Sequence, residues 1–266
     1  MTLTATVGVA QEHRGRVTSP VTDSTRTALA SLQASAAAYL AGAGLLGLGA
    51  AWLTWRVQGL APAYLIQVAA SLALTAALVY RALPAHLPRR RFGAANGVTL
   101  LRAALTAWLV GYVGYPHGLA AAGWWVPGCG GLLLALDGVD GRLARRSGMA
   151  SPFGARFDME VDAALILVLA ALLYQQGRAG AWILAAGLLR YVFIAAVAVL
   201  PWMRRELPPR RRRQAACVAQ TAALVAALAP GLAPAWSVLL SGLGLGALVL
   251  SFAADTVWLY RRRGEG

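Results

Sequence analysis

The chain contains no lysine, and only ten of its 266 residues are acidic, so its formal charge of +14 comes wholly from 24 arginines. Its two cysteines, Cys129 and Cys217, lie in apolar segments without the spacing of metal ligands. That excludes a cysteine metal centre and assigns both to packing. The three histidines, His13, His86 and His117, are scattered through polar or loop segments and form no catalytic constellation. No short apolar core ending at a small-residue cleavage site precedes the first long apolar run, so no cleavable signal is expected. No internal repeat stands out.

What is abundant is apolar: 59% of residues are hydrophobic, 13% are charged and the mean hydropathy is +0.60. This composition points to a polytopic membrane protein rather than a soluble domain. A chain this basic would otherwise suggest nucleic-acid binding, but that needs a solvated basic domain. Here the arginines sit in short loops between apolar runs, and no nucleic-acid partner is expected. Runs near or above the ~20 residues a bilayer requires fall at about 27–54, 61–80, 97–115, 119–136, 158–177, 180–200, 215–232 and 234–259. The expected fold is therefore all-α, a polytopic membrane helix bundle of eight helices, an N-terminal transmembrane pair followed by a core of six. Residues 1–26 read as a flexible cytoplasmic tail, 27–80 as the helix pair, and 81–266 as the core, with Pro84, Pro88 and Arg89–Arg91 at the boundary. The arginine run there is either a topological anchor or an interfacial segment meeting anionic lipid headgroups.

Loop charge orients the spans. Twenty of the 24 arginines fall on one side, Arg56 and Arg178 on the other, and Arg102 and Arg190 inside spans. Positively charged loops stay cytoplasmic, which places both termini and the acidic segment on the cytoplasmic side.

That segment holds five of the ten acidic residues between Asp137 and Asp162, counting Glu160. Carboxylates at a membrane boundary are costly unless paired or bound to cations. Asp137 and Asp140 stand at i and i+3, Asp158 and Asp162 at i and i+4, so on helices each pair projects from one face, while Glu160 points away. Four carboxylates around one cavity need countercharge, most simply one or two divalent cations. An all-oxygen set without His or Cys suits Mg2+ or Mn2+ better than zinc. Gly141 and Ala144 leave a strip poor in side chains along the helix, and Arg145 offers a planar fork suited to phosphate. Metal, arginine and a smooth strip together suggest a nucleotide diphosphate.

The pattern Asp137-x-x-Asp140-Gly141-x-x-Ala144-Arg145, eight residues, Gly154-x-x-x-Asp158-x-x-x-Asp162 resembles the signature of the CDP-alcohol phosphotransferase (phosphatidyltransferase) family at all eight defining positions. The resemblance covers about residues 93–260. It implies a six-helix integral membrane enzyme of phospholipid biosynthesis that moves a phosphatidyl or similar group from a CDP-linked donor to a small or lipid alcohol and releases CMP. By the same resemblance Asp137, Asp140 and Asp158 hold a two-metal site, and Asp162 deprotonates the acceptor hydroxyl while also touching the second metal. Gly141, Ala144, Arg145 and Gly154 contact the CDP moiety, and a homodimer is expected. CDP-diacylglycerol is the simplest donor, with CDP-aminoalcohol and diacylglycerol as the variant. The continuation Asp158-Met-Glu-Val-Asp162-Ala-Ala matches none of the glycerophosphate, inositol-phosphate or serine types closely, so no acceptor is named.

Other residues extend this reading. Asn96-x-x-Thr99-x-x-Arg102 resembles the element that often opens the family's catalytic core. It either borders the substrates or combines an N-cap with a snorkelling arginine. Gly128-Cys129-Gly130-Gly131 suggests close helix packing, and Ser151-Pro152 the turn between the acidic helices. Arg190 serves either an anionic acceptor or a structural ion pair, the Arg204–Arg213 loop anchors topology or, second, meets anionic lipid, and Asp255 is an interfacial salt-bridge partner. A transporter would place its carboxylates near mid-bilayer, and a calcium loop would need alternating ligands and a glutamate at its twelfth position.

Overall fold

The computed structural model describes residues 21–146, 151–205, 207–208 and 211–263; within these, the side chains of residues 21–24, 140–146 and 211 lie outside the description. The described residues form nine α-helices and three short 3-10 helices, and no strand is found among them.

Helix α1 (Val21–Gln58) and helix α2 (Ala63–Ala82) make the N-terminal pair, joined by a turn in which Gly59 takes a φ of +62°. The expected tail lies outside the described residues up to residue 20, and residues 21–26 already belong to α1. A 3-10 helix, Leu83–His86, leads into the core helices α3 (Ala94–Val110), α4 (Pro116–Ala122), α5 (Trp125–Arg146), α6 (Pro152–Gln175), α7 (Ala185–Val199), α8 (Arg211–Ala227) and α9 (Pro234–Arg261). Each expected span holds helix, but α3 ends at Val110 and α8 at Ala227, short of the expected 115 and 232.

Four stretches, Thr25–Gln58, Ala63–His86, Ala181–Val199 and Pro234–Arg261, are long and apolar enough to cross a membrane by themselves. A fifth is broken rather than continuous: α4 and the first part of α5 are bent by 74°. Gly123 causes the break, its φ of +52° ending α4 in a conformation that side chains disfavour. The remaining expected spans fall short for identifiable reasons. Helix α3 has 17 residues, roughly 25 Å at 1.5 Å per residue. Helix α6 carries Arg156, Asp158, Glu160 and Asp162 in its first turns, and α8 begins with Arg211–Arg213.

The central core joins α3, α5, α6 and α8 through buried leucines and alanines such as Leu109, Leu133, Leu169 and Leu224, with Cys129 and Cys217 partly buried against it as packing residues. A second cluster, containing Leu32, Leu83, Phe92 and Phe153, fastens the N-terminal pair and its linker to the start of α6. Close helix approach falls on single glycines. A Cβ on Gly187 would lie 2.5 Å from Leu167 Cα, so α7 meets the α6 backbone directly. In the Gly128–Gly131 run only Gly130 is so constrained, by Val225 of α8 at 2.6 Å; Gly128 and Gly131 have open space.

Candidate active site

Three helices build the site, each for a local reason. Helix α3 opens after Gly93 and carries Arg102 two turns in; the arginine is 1% exposed and turned inward. A buried guanidinium is tolerated only when paired. Its partners are Asp137 on α5 at 3.2 Å and Asp158 on α6 at 2.6 Å, with Asp162 on α6 also accepting from Nη2. The snorkelling alternative for Arg102 is thereby excluded. So is the N-cap reading of Asn96, which lies inside α3 and donates from Nδ2 to Phe92 O at 2.5 Å.

The three aspartates converge as the i and i+4 spacing on α6 requires. One carboxylate oxygen from each of Asp137, Asp158 and Asp162 lies within 4.8 Å of the others. Arg102 carries one positive charge against three negative ones, so it does not by itself neutralise the group. An all-oxygen set of this size and charge fits a hard divalent cation. Asp140, Gly141, Ala144 and Arg145 continue along α5 beyond Asp137. Their side-chain positions, and with them the fourth carboxylate and the proposed nucleotide contacts of α5, lie outside the described residues.

Helix α6 starts under tight control. Ser151 is its N-cap and accepts from Gly154 N at 3.0 Å, with Pro152 in the first turn. A Cβ on Gly154 would sit 2.8 Å from Asn96 Oδ1, so glycine here lets the first turns of α3 and α6 touch. Ser151 and Pro152, expected in the turn between the acidic helices, thus cap and begin the second of them; the rest of that connection, residues 147–150, lies outside the described residues.

Glu160 turns away from the carboxylate group and pairs with Arg190 on α7 at 2.5 Å. Of the two readings of Arg190, this supplies the partner for the structural ion pair. Asp255 is buried on α9 and pairs with Arg212 at 2.5 Å and Arg213 at 3.7 Å, across to α8 rather than along its own helix to Arg261. Sequence reasoning singled out Arg102 but not its pairing with the motif aspartates, although an arginine inside a span needs a carboxylate and nearly all the acids available in the apolar region belong to the motif. It missed His86, which is fully buried and contacts Ser151; its isolated position in the sequence carried no signal.

A family model described as CDP-alcohol phosphatidyltransferase matches residues 92–253, from two residues before α3 through most of α9. No curated protein and no solved structure matches the chain. The match spans well over half of the 266 residues and contains the three converging aspartates and Arg102, and the chain belongs to the CDP-alcohol phosphatidyltransferase family.

Proposed function

We propose that the protein is a metal-dependent enzyme that moves the phosphatidyl group of CDP-diacylglycerol to an alcohol and releases CMP, as a step of phospholipid biosynthesis. The family supports transfer of a phosphatidyl group from a CDP-alcohol within a membrane. The observation that carries the finer reading is the convergence of Asp137, Asp158 and Asp162 beneath Arg102.

In this reading Asp137, Asp158 and Asp162, joined by Asp140, hold two Mg2+ or Mn2+ ions. Bound there, such ions would neutralise the donor diphosphate and the charge growing on the CMP leaving oxygen. The chain's own residues do the rest. Gly141, Ala144, Arg145 and Gly154 seat the nucleotide, with the arginine fork on phosphate. Asp162 takes the proton of the acceptor hydroxyl as its oxygen attacks the phosphatidyl phosphorus and the bond to CMP breaks. Arg102 meets all three described aspartates through Oδ1, which leaves the second oxygen of Asp162 for that proton.

The site faces the cytoplasm, with both chain termini. Support comes from the arginine asymmetry together with two contacts: Arg205 donates to Arg262 O at 3.3 Å, and Arg212 meets Asp255. These gather the loop before α8 and the end of α9 on one side of the bundle. Arg178, from the arginine-poor side, donates to Ala227 O at 3.1 Å and Ala229 O at 2.7 Å at the other end of α8. The lipid tails of the donor lie between helices, and its headgroup enters from the arginine-rich side.

The test is purified protein incubated with labelled CDP-diacylglycerol, Mg2+ and a panel of alcohols. Alcohol-dependent CMP release supports the reading; transfer only from a CDP-aminoalcohol to diacylglycerol would replace the donor assignment, and no release with either donor would overturn the function.

A further inference from the structure

We propose that His86, which lies outside the family match, is a positioning residue that sets the catalytic helix α6 against α3. The proposal rests on the metal-dependent transfer described above.

The imidazole is fully buried at the end of the 3-10 helix that links the N-terminal pair to the core. Its Nε2 lies 3.1 Å from Arg91 O and its Nδ1 lies 2.9 Å from Ser151 Oγ. A carbonyl can only accept, so Nε2 carries a hydrogen. The Ser151 hydroxyl already accepts from Gly154 N, and its own hydrogen is available to Nδ1 of a neutral ring. One tautomer therefore satisfies every donor and acceptor in a chain running from the linker carbonyl, through imidazole and hydroxyl, to the first turn of α6.

The same ring packs edge-on against Phe153 at 5.3 Å, and Phe153 stacks on Phe157 at 5.9 Å, directly before Asp158. Phe92, whose backbone N–H donates to Ser35 of α1 at 3.1 Å, closes the cluster from the other side at 6.0 Å from Phe153. The N-cap fixes how far along its axis α6 begins, and the aromatic row fixes its rotation. Asp158 and Asp162 lie about two and three turns beyond that cap, so a slip of α6 at Ser151 moves both carboxylates relative to Arg102 and Asp137. Gly154 against Asn96 ties the same turn to α3. His86 thus transmits the position of the N-terminal pair to the carboxylates without touching them.

The experiment uses the full chain in detergent, with His86→Phe, which keeps the aromatic packing but loses both hydrogen bonds, Ser151→Ala, the double variant, and His86→Gln, which can restore a donor and an acceptor. Three quantities are read: Mn2+ affinity by electron paramagnetic resonance without substrate, the unfolding midpoint in chelator, and kcat and KM for the donor. Groups that orient metal ligands indirectly are worth about 10–100-fold in affinity or activity. The expected result is a Mn2+ affinity and kcat each lowered about tenfold in His86→Phe and in Ser151→Ala, a loss in the double variant well below the product of the two because both break the His86–Ser151 contact, and recovery of most of both in His86→Gln. The chelated unfolding midpoint should change far less than the metal affinity. Wild-type Mn2+ affinity in His86→Phe, or losses that multiply in the double variant, would overturn the positioning role alone. Should His86→Phe fail to fold, Ser151→Ala carries the same two readouts with the same consequences. A wild-type protein that neither binds Mn2+ nor releases CMP would instead overturn the underlying function.

Discussion

Arg102 on α3 donates from Nη1 to Asp158 on α6 at 2.6 Å across 56 positions of sequence, and the same guanidinium reaches Asp162 one turn further along. One buried cation thus joins the first core helix to both carboxylates of the second half of the motif, and through Asp137 to α5 as well. The relationship is electrostatic bookkeeping made structural: the arginine lowers the repulsion among the aspartates without cancelling it.

Replacing Arg102 with methionine keeps much of the side-chain volume and removes the charge. Breaking a buried pair by deleting one partner costs about 3–5 kcal/mol. Thermal unfolding in detergent should show a lower midpoint for Arg102→Met in chelator, and a larger rise on adding Mn2+ than in the wild type, since a dication then supplies the missing charge. Equal midpoints in chelator would contradict the pairing.

Asp162→Asn keeps the shape of the side chain but cannot accept the acceptor proton. General-base removal is worth about 10²–10⁴ in rate, so CMP release should fall by at least about a hundredfold while circular dichroism stays at the wild-type level. Normal turnover would remove Asp162 from the role.

Gly154→Ala inserts a methyl group 2.8 Å from Asn96 Oδ1. Overpacking of this kind costs about 1–3 kcal/mol. Shortening the neighbour in Gly154→Ala/Asn96→Ser should recover the unfolding midpoint, which separates the packing role of Gly154 from its proposed nucleotide contact. If activity returns together with stability, the glycine serves the helix approach only; if stability returns without activity, the nucleotide contact stands.

The pair formed by Glu160 and Arg190 is partly exposed and stands apart from the aspartates. Pairs of this type are worth about 0–1 kcal/mol. Glu160→Gln and Arg190→Ala should each lower the unfolding midpoint slightly, with a double variant no worse than the larger single effect, and the acceptor KM should be unchanged in both. A raised acceptor KM in Arg190→Ala alone would assign the arginine to the substrate instead.

Much of this architecture was legible in the sequence because two signals were strong. Apolar runs located the long helices, and the i, i+4 spacing placed Asp158 and Asp162 on a shared face. The break at Gly123 was not legible, since a glycine inside an apolar run reads as easily as a tolerated residue as a helix stop. Arg102 was visible as an arginine in a span, but pairing it with three aspartates needs the relative rotation of three helices, which no local spacing encodes. His86 was invisible for the same reason: its meaning lies in a contact with Ser151, 65 positions away. The outward turn of Glu160, by contrast, followed directly from its place two residues after Asp158.

The central claim is that Asp137, Asp158 and Asp162 grip a divalent cation beside the donor diphosphate. Its most direct test is anomalous diffraction from crystals of the full chain grown with Mn2+ and CMP or CDP-diacylglycerol. The account predicts manganese peaks within coordinating distance of carboxylate oxygens from all three aspartates, next to nucleotide phosphate. Manganese bound elsewhere, in protein that still releases CMP, would contradict it.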